Sequence, residues 1–208
     1  KSHQGPVVVK ADGLAAGKGV LLCQNSEQGA AAIRECMSAR AFGEAGDTVV
    51  LEEYLSGPEV SVFAFCDGEN LSPLVAACDY KRLEDGNNGP NTGGMGAYSP
   101  APVVNEAVYQ RIMDEVILPT VEGMAADGND YVGFLYAGLM ISASGAVSVI
   151  EFNCRFGDPE AQPVMMRLQS DLVKHCLAAL DQSLDQQTAS WDSRYAVGVV
   201  LAAGGYPL

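Results

Sequence analysis

Two apolar runs, GFLYAGLMIS at 133–142 and VSVIEFNCRF at 147–156, stand one short ASG turn apart. Strands joined so closely, with a glycine in the connection, pair as an antiparallel hairpin. That pairing commits the chain to a sheet, and a sheet with an apolar face must be covered by another layer. The second run changes character as it proceeds. Valine and isoleucine lead in, and then Glu151, Asn153 and Arg155 alternate with Phe152, Cys154 and Phe156. Period two predicts Glu151, Asn153 and Arg155 on the face of Val147 and Val149, with Ile150, Phe152, Cys154 and Phe156 anchoring the other face.

Elsewhere short strands and helices mix. Val7–Lys10 and VLLC at 20–23 read as strands on either side of ADGLAAGKG. Ser26 caps a predicted helix to about Met37, with Ala30, Ile33, Arg34 and Met37 at helical spacing. Thr48–Tyr54, Glu59–Cys66 and LSPLVAAC at 71–78 are strand candidates. Asn105 caps a helix bearing Val108, Ile112 and Val116, interrupted at Pro119 and resuming at TVEGM. Pro159 starts another helix, with Asp158 and Glu160 serving its turn and first helical turn rather than a metal. Ser170 or Asp171 caps one more through Leu180. Asp79–Pro100 has no period and is rich in glycine, which suits either a binding loop or a flexible surface excursion. QSLDQQTASWDS near the end reads as a linker.

At 208 residues, 48% hydrophobic and 18% charged, the composition is that of a soluble globular chain, long enough for one large domain or two small ones. A formal charge of −14 speaks against general affinity for nucleic acid or an anionic membrane, while a few basic residues could still hold a phosphate-bearing small molecule. No run approaches the roughly 20 apolar residues of a membrane helix, and the start carries no signal-peptide pattern. Cys23, Cys36, Cys66, Cys78, Cys154 and Cys176 form no CxxC pair and accompany only two histidines. They read as reduced thiols of a cytoplasmic protein, not as a zinc site. Both ends run through strand-like sequence, as in a fragment of a longer enzyme.

Two segments carry chemistry. In KADGLAAGKGV, glycines let backbone N–H groups approach an anion, and Lys10 and Lys18 supply charge. It is not a Walker A loop: three residues separate Gly13 from Gly17, and Gly19 stands where the magnesium-binding hydroxyl belongs. It reads as a flap over phosphates or as a plain hairpin loop. In EFNCRF, Glu151 and Asn153 offer hard oxygen donors suited to magnesium, and Arg155 can pair with a phosphoryl oxygen. The alternative is a solvated strand face with an internal Glu–Arg pair, which contributes little.

KADGLAAGKGV, EEYLSGPEVS, GPNTGGMGAYSPAP, GFLYAGLMI and EFNCRFGDPEAQPV occur in this order. Together they resemble the glycinamide ribonucleotide synthetase (phosphoribosylamine–glycine ligase) family of ATP-grasp enzymes over nearly the whole chain. The resemblance implies an α+β ATP-grasp fold of two α+β subdomains with the nucleotide site between them. Residues 1–58 would be the small lid, 59–190 the central subdomain with metal and substrate loops, and 191–208 the start of a C-terminal domain. The family's N-terminal domain and most of its C-terminal domain fall outside the chain, which leaves open whether this length alone is active. The implied activity is a cytoplasmic ligase of de novo purine biosynthesis. It joins glycine to 5-phosphoribosylamine through glycyl phosphate, giving glycinamide ribonucleotide, ADP and phosphate. ATP and Mg2+ (or Mn2+) would be its cofactors, with neither nucleic acid nor membrane as partner. Fusion to or association with other purine enzymes is left open.

Carried over position by position, the resemblance puts Lys10 at the ATP phosphates and adenine edge. Gly17, Lys18 and Gly19 would form the phosphate flap, with Lys18 also a catalytic group. Glu52, Glu53, Tyr54 and Leu55 would form the adenine hinge, and Glu59 would accept from the ribose hydroxyls. Glu151 and Asn153 match the magnesium ligands, and Arg155 the catalytic arginine near the acyl phosphate. Asp79, Lys81, Arg82, Asn91, Gly93, Gly94 and Met95 are candidates for the substrate side. Many ATP-grasp enzymes add an acid on the preceding strand; GFLYAGLMI has none. Three other readings stand beside this one: an ATP-grasp ligase acting on a different amine, a non-catalytic nucleotide-binding fragment, and a purely structural or interaction module, which would leave Lys10, Glu151, Asn153 and Arg155 without a common purpose.

Overall fold

The structure, a computed structural model, describes residues 5–15 and 19–207. Gly17 and Lys18 of the expected flap therefore lie outside the described residues. The chain divides into two compact units, Lys1–Ser56 and Gly57–Leu208.

In the first unit, β1 (Val7–Ala11) is the middle strand of an antiparallel sheet, flanked by β2 (Val20–Cys23) and β3 (Val49–Glu53). Helix α1 (Ser26–Met37) covers the sheet, burying Ala32 and Cys36 against Val9 and Cys23. Its cap is Asn25, not Ser26. Asn25 has the extended backbone of an N-cap and accepts from the Gln28 N–H at 3.0 Å, whereas Ser26 already lies in the first turn. The ends of the glycine-rich loop are pinned, because the Ala11 N–H donates to the Gly19 carbonyl at 2.8 Å. A Cβ on Gly19 would sit 2.9 Å from the Ala11 methyl, so this crossing requires glycine.

The second unit runs through β4 (Glu59–Asp67), β5 (Leu71–Pro73), β6 (Cys78–Asp79), β7 (Arg82–Glu84), β8 (Asn88–Asn91) and β9 (Gly96–Ser99). It continues with α2 (Glu106–Ile112), α3 (Leu118–Ala126), β10 (Val132–Ile141), β11 (Val147–Asn153), α4 (Ala161–Arg167), α5 (Leu172–Leu180) and β12 (Ala196–Val199). The main sheet is antiparallel in the order β11-β10-β4-β5. On one face, Val60, Val62, Leu135, Ala137, Leu139 and Ile141 pack under Val108, Ile112, Val116, Ile117 and Val121 of the α2–α3 segment. On the other, Phe63, Phe65 and Tyr136 meet Val164, Ala178 and Ala179 from α4 and α5. A strand covered on both faces has no solvent side, so β4 and β10 read as nearly unbroken apolar runs.

Four further expectations change. LSPLVAAC is not one strand: β5 ends at Pro73, residue 77 makes only an isolated bridge to Ser61, and β6 then joins a second sheet, β12-β9-β6. Pro119 does not interrupt its helix. A π-helical turn over Met113–Ile117, closed by the Leu118 N–H donating to the Met113 carbonyl, links α2 to α3 without a break, and the proline is accommodated in the first turn of α3 directly after it. Residues 79–100 are not a single loop but contain the hairpin β7–β8 and strand β9, with Gly86 (φ 71°) and Asn87 (φ 59°) at the hairpin turn. The QSLDQQTASWDS segment packs within the second unit: the Leu184 N–H donates to Asp67 Oδ2 at 3.1 Å, and Trp191 lies against the core. Four cysteines are buried, Cys176 is half-buried, Cys154 is exposed, and all six are free thiols. Among the described residues no helix is long and apolar enough to cross a membrane.

Candidate active site

The ladder between β10 and β11 shifts once. Gly138 pairs with Glu151 and Leu139 with Val149, so Ile150 is an extra residue. One inserted residue reverses the facing of every side chain beyond it. Val147 and Val149 therefore stay with Ile141 and Leu139, while Glu151 and Asn153 turn to the face of Gly138 and Tyr136. The expected sharing of a face between these polar residues and the valines is overturned. Nor do Phe152 and Cys154 anchor the strand: β11 is the sheet edge, Phe152 is 42% exposed and Cys154 is exposed. Phe156 alone of the three packs inward, with ring centroids 4.3 Å from Phe134 and 5.7 Å from Phe63.

The same face receives residues from two further strands. Ser61 pairs with Gly138 and Glu59 with Met140, so both share the side of Tyr136, Glu151 and Asn153. Just beyond β6, Lys81 forms an ion pair with Glu59 Oε1, and its Nζ lies 3.6 Å from Asp79 Oδ2. The Asp79 side chain is 3% exposed, and its Oδ1 has no hydrogen-bond partner among the described residues. Burial pushes the Asp79 carboxyl up to about 6; Lys81 opposes this, and Glu160 and Glu59 add to it. Burial pulls the Lys81 ammonium down, but Asp79, Glu59 and Glu151 outweigh it and hold the group above its ordinary value.

Asn153 Nδ2 donates to Glu151 Oε1 at 3.1 Å, which sets amide and carboxylate side by side. A carboxylate and an amide oxygen fit magnesium, an ion that keeps several waters and takes phosphate oxygens as its remaining ligands. No group of three or more His, Cys, Asp and Glu suited to a metal occurs among the described residues, so this pair provides no closed all-protein cage. Arg155 lies beside it, with Cζ 6.0 Å from the Tyr136 ring centroid and Nη1 donating to the Phe156 carbonyl at 2.7 Å.

The substrate-side candidates separate into two groups. Thr92 ties the glycine turn to Lys81: its N–H and Oγ1 both donate to the Lys81 carbonyl, at 2.7 and 2.8 Å, and Oγ1 accepts from the Gly94 N–H at 3.0 Å. The Met95 N–H donates to the Tyr80 carbonyl at 2.7 Å. Gly93, Gly94 and Met95 are thus joined to the segment carrying Asp79 and Lys81. Arg82 and Asn91 instead pair across the β7–β8 hairpin, where Arg82 Nη1 donates to the Gly89 carbonyl at 2.7 Å. In the first unit, Lys10 Nζ lies 2.6 Å from Glu52 Oε2. Glu53 ends β3, and Tyr54 and Leu55 follow it.

Sequence reasoning missed Ser61, Tyr136 and the true setting of Glu160. Glu160 is 1% exposed and makes no capping bond to α4. Its Oε1 accepts from Ser61 Oγ at 2.7 Å and from Tyr136 OH at 3.1 Å. Burial, followed by the charge of Glu160, drives the Tyr136 phenol far above its ordinary value, so it remains a proton donor. The available signal was a hydroxyl set inside each of two otherwise apolar strands.

Comparison with known proteins bears on this face. Residues 1–161 match the family described as "Phosphoribosylglycinamide synthetase, ATP-grasp (A) domain". Over 202 residues the chain is 60% identical to the phosphoribosylamine–glycine ligase of Vibrio vulnificus (strain YJ016) and 61% to that of Pseudomonas aeruginosa, spanning 97% of this chain and 47% of each relative. The chain thus spans about half the length of the curated relatives it matches. The crystal structure of the ligase of that name from Thermotoga maritima superposes with a TM-score of 0.81 at 37% identity, covering 97% of this chain and 50% of that one. The biotin carboxylase domain of Hydrogenobacter thermophilus 2-oxoglutarate carboxylase, solved with MgADP, gives 0.65 at 18% identity over 92% of this chain and 40% of that one. That likeness is one of fold alone. The fold is the mixed α+β ATP-grasp fold.

Proposed function

This chain belongs to the phosphoribosylglycinamide synthetase family, and we propose that it supplies the ATP-grasp part of a ligase joining glycine to 5-phosphoribosylamine. The observation that carries the reading is the gathering of Glu59, Asp79, Lys81, Glu151, Asn153 and Arg155 around one sheet face. The glycine carboxylate attacks the γ-phosphorus of ATP, and ADP leaves. The amine of the sugar then attacks the acyl carbon of glycyl phosphate, and inorganic phosphate leaves with the bonding pair. Neither step needs a protein nucleophile; both need positioning and neutralised charge.

Glu151 and Asn153 would hold magnesium or manganese, which draws charge from the phosphoryl oxygens when bound. Arg155 neutralises charge on the transferring group. Lys10 serves the nucleotide's phosphates and adenine edge, Glu52 to Leu55 its base, and Glu59 its ribose. Asp79 and Lys81, with the backbone of 93–95, face the acceptor side. In this assignment 1–58 form the lid, 59–190 the central subdomain, and 191–208 lead into a further domain. A cytoplasmic setting accords with six free thiols.

The test is ADP release by the full-length protein. It should require ATP, magnesium, glycine and phosphoribosylamine together. Undiminished release with another amine in place of phosphoribosylamine would overturn the substrate assignment.

A further inference from the structure

We propose that Glu160 is a positioning residue that sets Arg155 and the Glu151–Asn153 pair for phosphoryl transfer, an inference resting on the function proposed above. A carboxylate 1% exposed is costly to keep out of water, and one whose role is only to fill space is replaceable by an apolar side chain. Glu160 has hydroxyl partners rather than a cation, Ser61 Oγ at 2.7 Å and Tyr136 OH at 3.1 Å.

Those partners sit at telling rungs of the sheet. Tyr136 is the direct cross-strand partner of Asn153, and Ser61 pairs with Gly138, the partner of Glu151. One carboxylate oxygen therefore binds β4 to β10 at the two rungs from which the metal donors project. Glu160 also belongs to the turn that follows Arg155, so its bonds draw that turn back onto the sheet. Gly157 makes room for it: a Cβ there would lie 2.5 Å from Glu160 Oε2.

The link to Arg155 runs through the Tyr136 ring, whose centroid is 6.0 Å from the guanidinium carbon. A phenol donating to an anion carries more electron density in its ring and attracts a cation more strongly. Glu160 thus acts on Arg155 without touching substrate. Residues that fix the orientation of metal-holding side chains typically change activity by about 10- to 100-fold when altered.

The experiment compares wild type, E160Q, R155A and the double variant in the full-length protein, following glycine-dependent ADP release and melting temperature. E160Q should lower kcat about 10- to 100-fold, with KM for ATP nearly unchanged, and should add little to R155A in the double variant. Independent, multiplying effects of E160Q and R155A would overturn the inference. So would E160Q enzyme that melts earlier yet turns over at the wild-type kcat. If E160Q does not fold, Y136F carries the test, since it keeps the ring and removes one donor. It should lower kcat and be non-additive with R155A, and an unchanged kcat would overturn the proposal. Wild-type protein without glycine-dependent ADP release would remove the proposed function and this inference together. Normal wild-type release with an unaffected E160Q would remove this inference alone.

Discussion

Gly94 faces the ring of Pro159 so closely that a Cβ at Gly94 would lie 2.3 Å from Pro159 Cδ. The contact joins the Gly93–Met95 turn, which Thr92 ties to Lys81, to the turn that carries Glu160, so two otherwise separate loops share one fixed spacing. Gly94 also has φ of 128°, a region L side chains rarely adopt.

G94A should therefore force the loops apart and strain the turn, at a combined cost of about 1–3 kcal/mol. Because the displaced loop bears the acceptor-side residues, KM for phosphoribosylamine should rise more than KM for ATP. Chemical denaturation and steady-state kinetics of the full-length variant check both parts. Equal increases in the two KM values would show that the contact is only structural.

E151Q separates a metal ligand from a structural acid. Glu151 is exposed on an edge strand, and its hydrogen bond is to its neighbour Asn153, so the melting temperature should barely move. An amide is a poorer magnesium ligand than a carboxylate, and half-maximal activity should need about tenfold or more magnesium. An early melt with normal magnesium dependence in the surviving folded protein would assign Glu151 to structure.

How much of this was legible in the letters depended on whether the cause was local. Strands β4 and β10 were readable because cover on both faces leaves long apolar runs, and Asn105 announced its helix by accepting from the Val108 N–H at 3.0 Å. The chemical content of EFNCRFGDPE was legible too, but not its facing, since the extra residue Ile150 is defined by pairing with β10. Hairpin β7–β8 stayed hidden because neither of its faces is apolar enough to leave a period. The Lys81–Glu59 pair spans 22 residues and the Glu160–Ser61 bond 99, separations at which no local pattern forms.

Asp79 gives the last prediction its sign. Its carboxyl is raised from an ordinary 3.8 to about 6, chiefly by burial, while Lys81 pulls it down and Glu160 and Glu59 push it up. The folded protein thus holds this proton more tightly than the unfolded chain does. The group's stabilising contribution is complete below about pH 4 and is lost as the pH rises through about 6. D79N is neutral throughout and lacks this loss. It should melt with wild type near pH 4 and outlast it above pH 7, by at most roughly 3 kcal/mol, since each unit is worth about 1.4 kcal/mol. The gain should come with weaker acceptor binding, because Oδ1, which has no hydrogen-bond partner among the described residues, is replaced or turned away. Comparing the two melting curves across this range cancels the other carboxylates, including Asp67, which is held low and works in the opposite sense. A difference between the curves that stays constant with pH, or that favours wild type as the pH rises, would show that Asp79 is not a burial-raised acid.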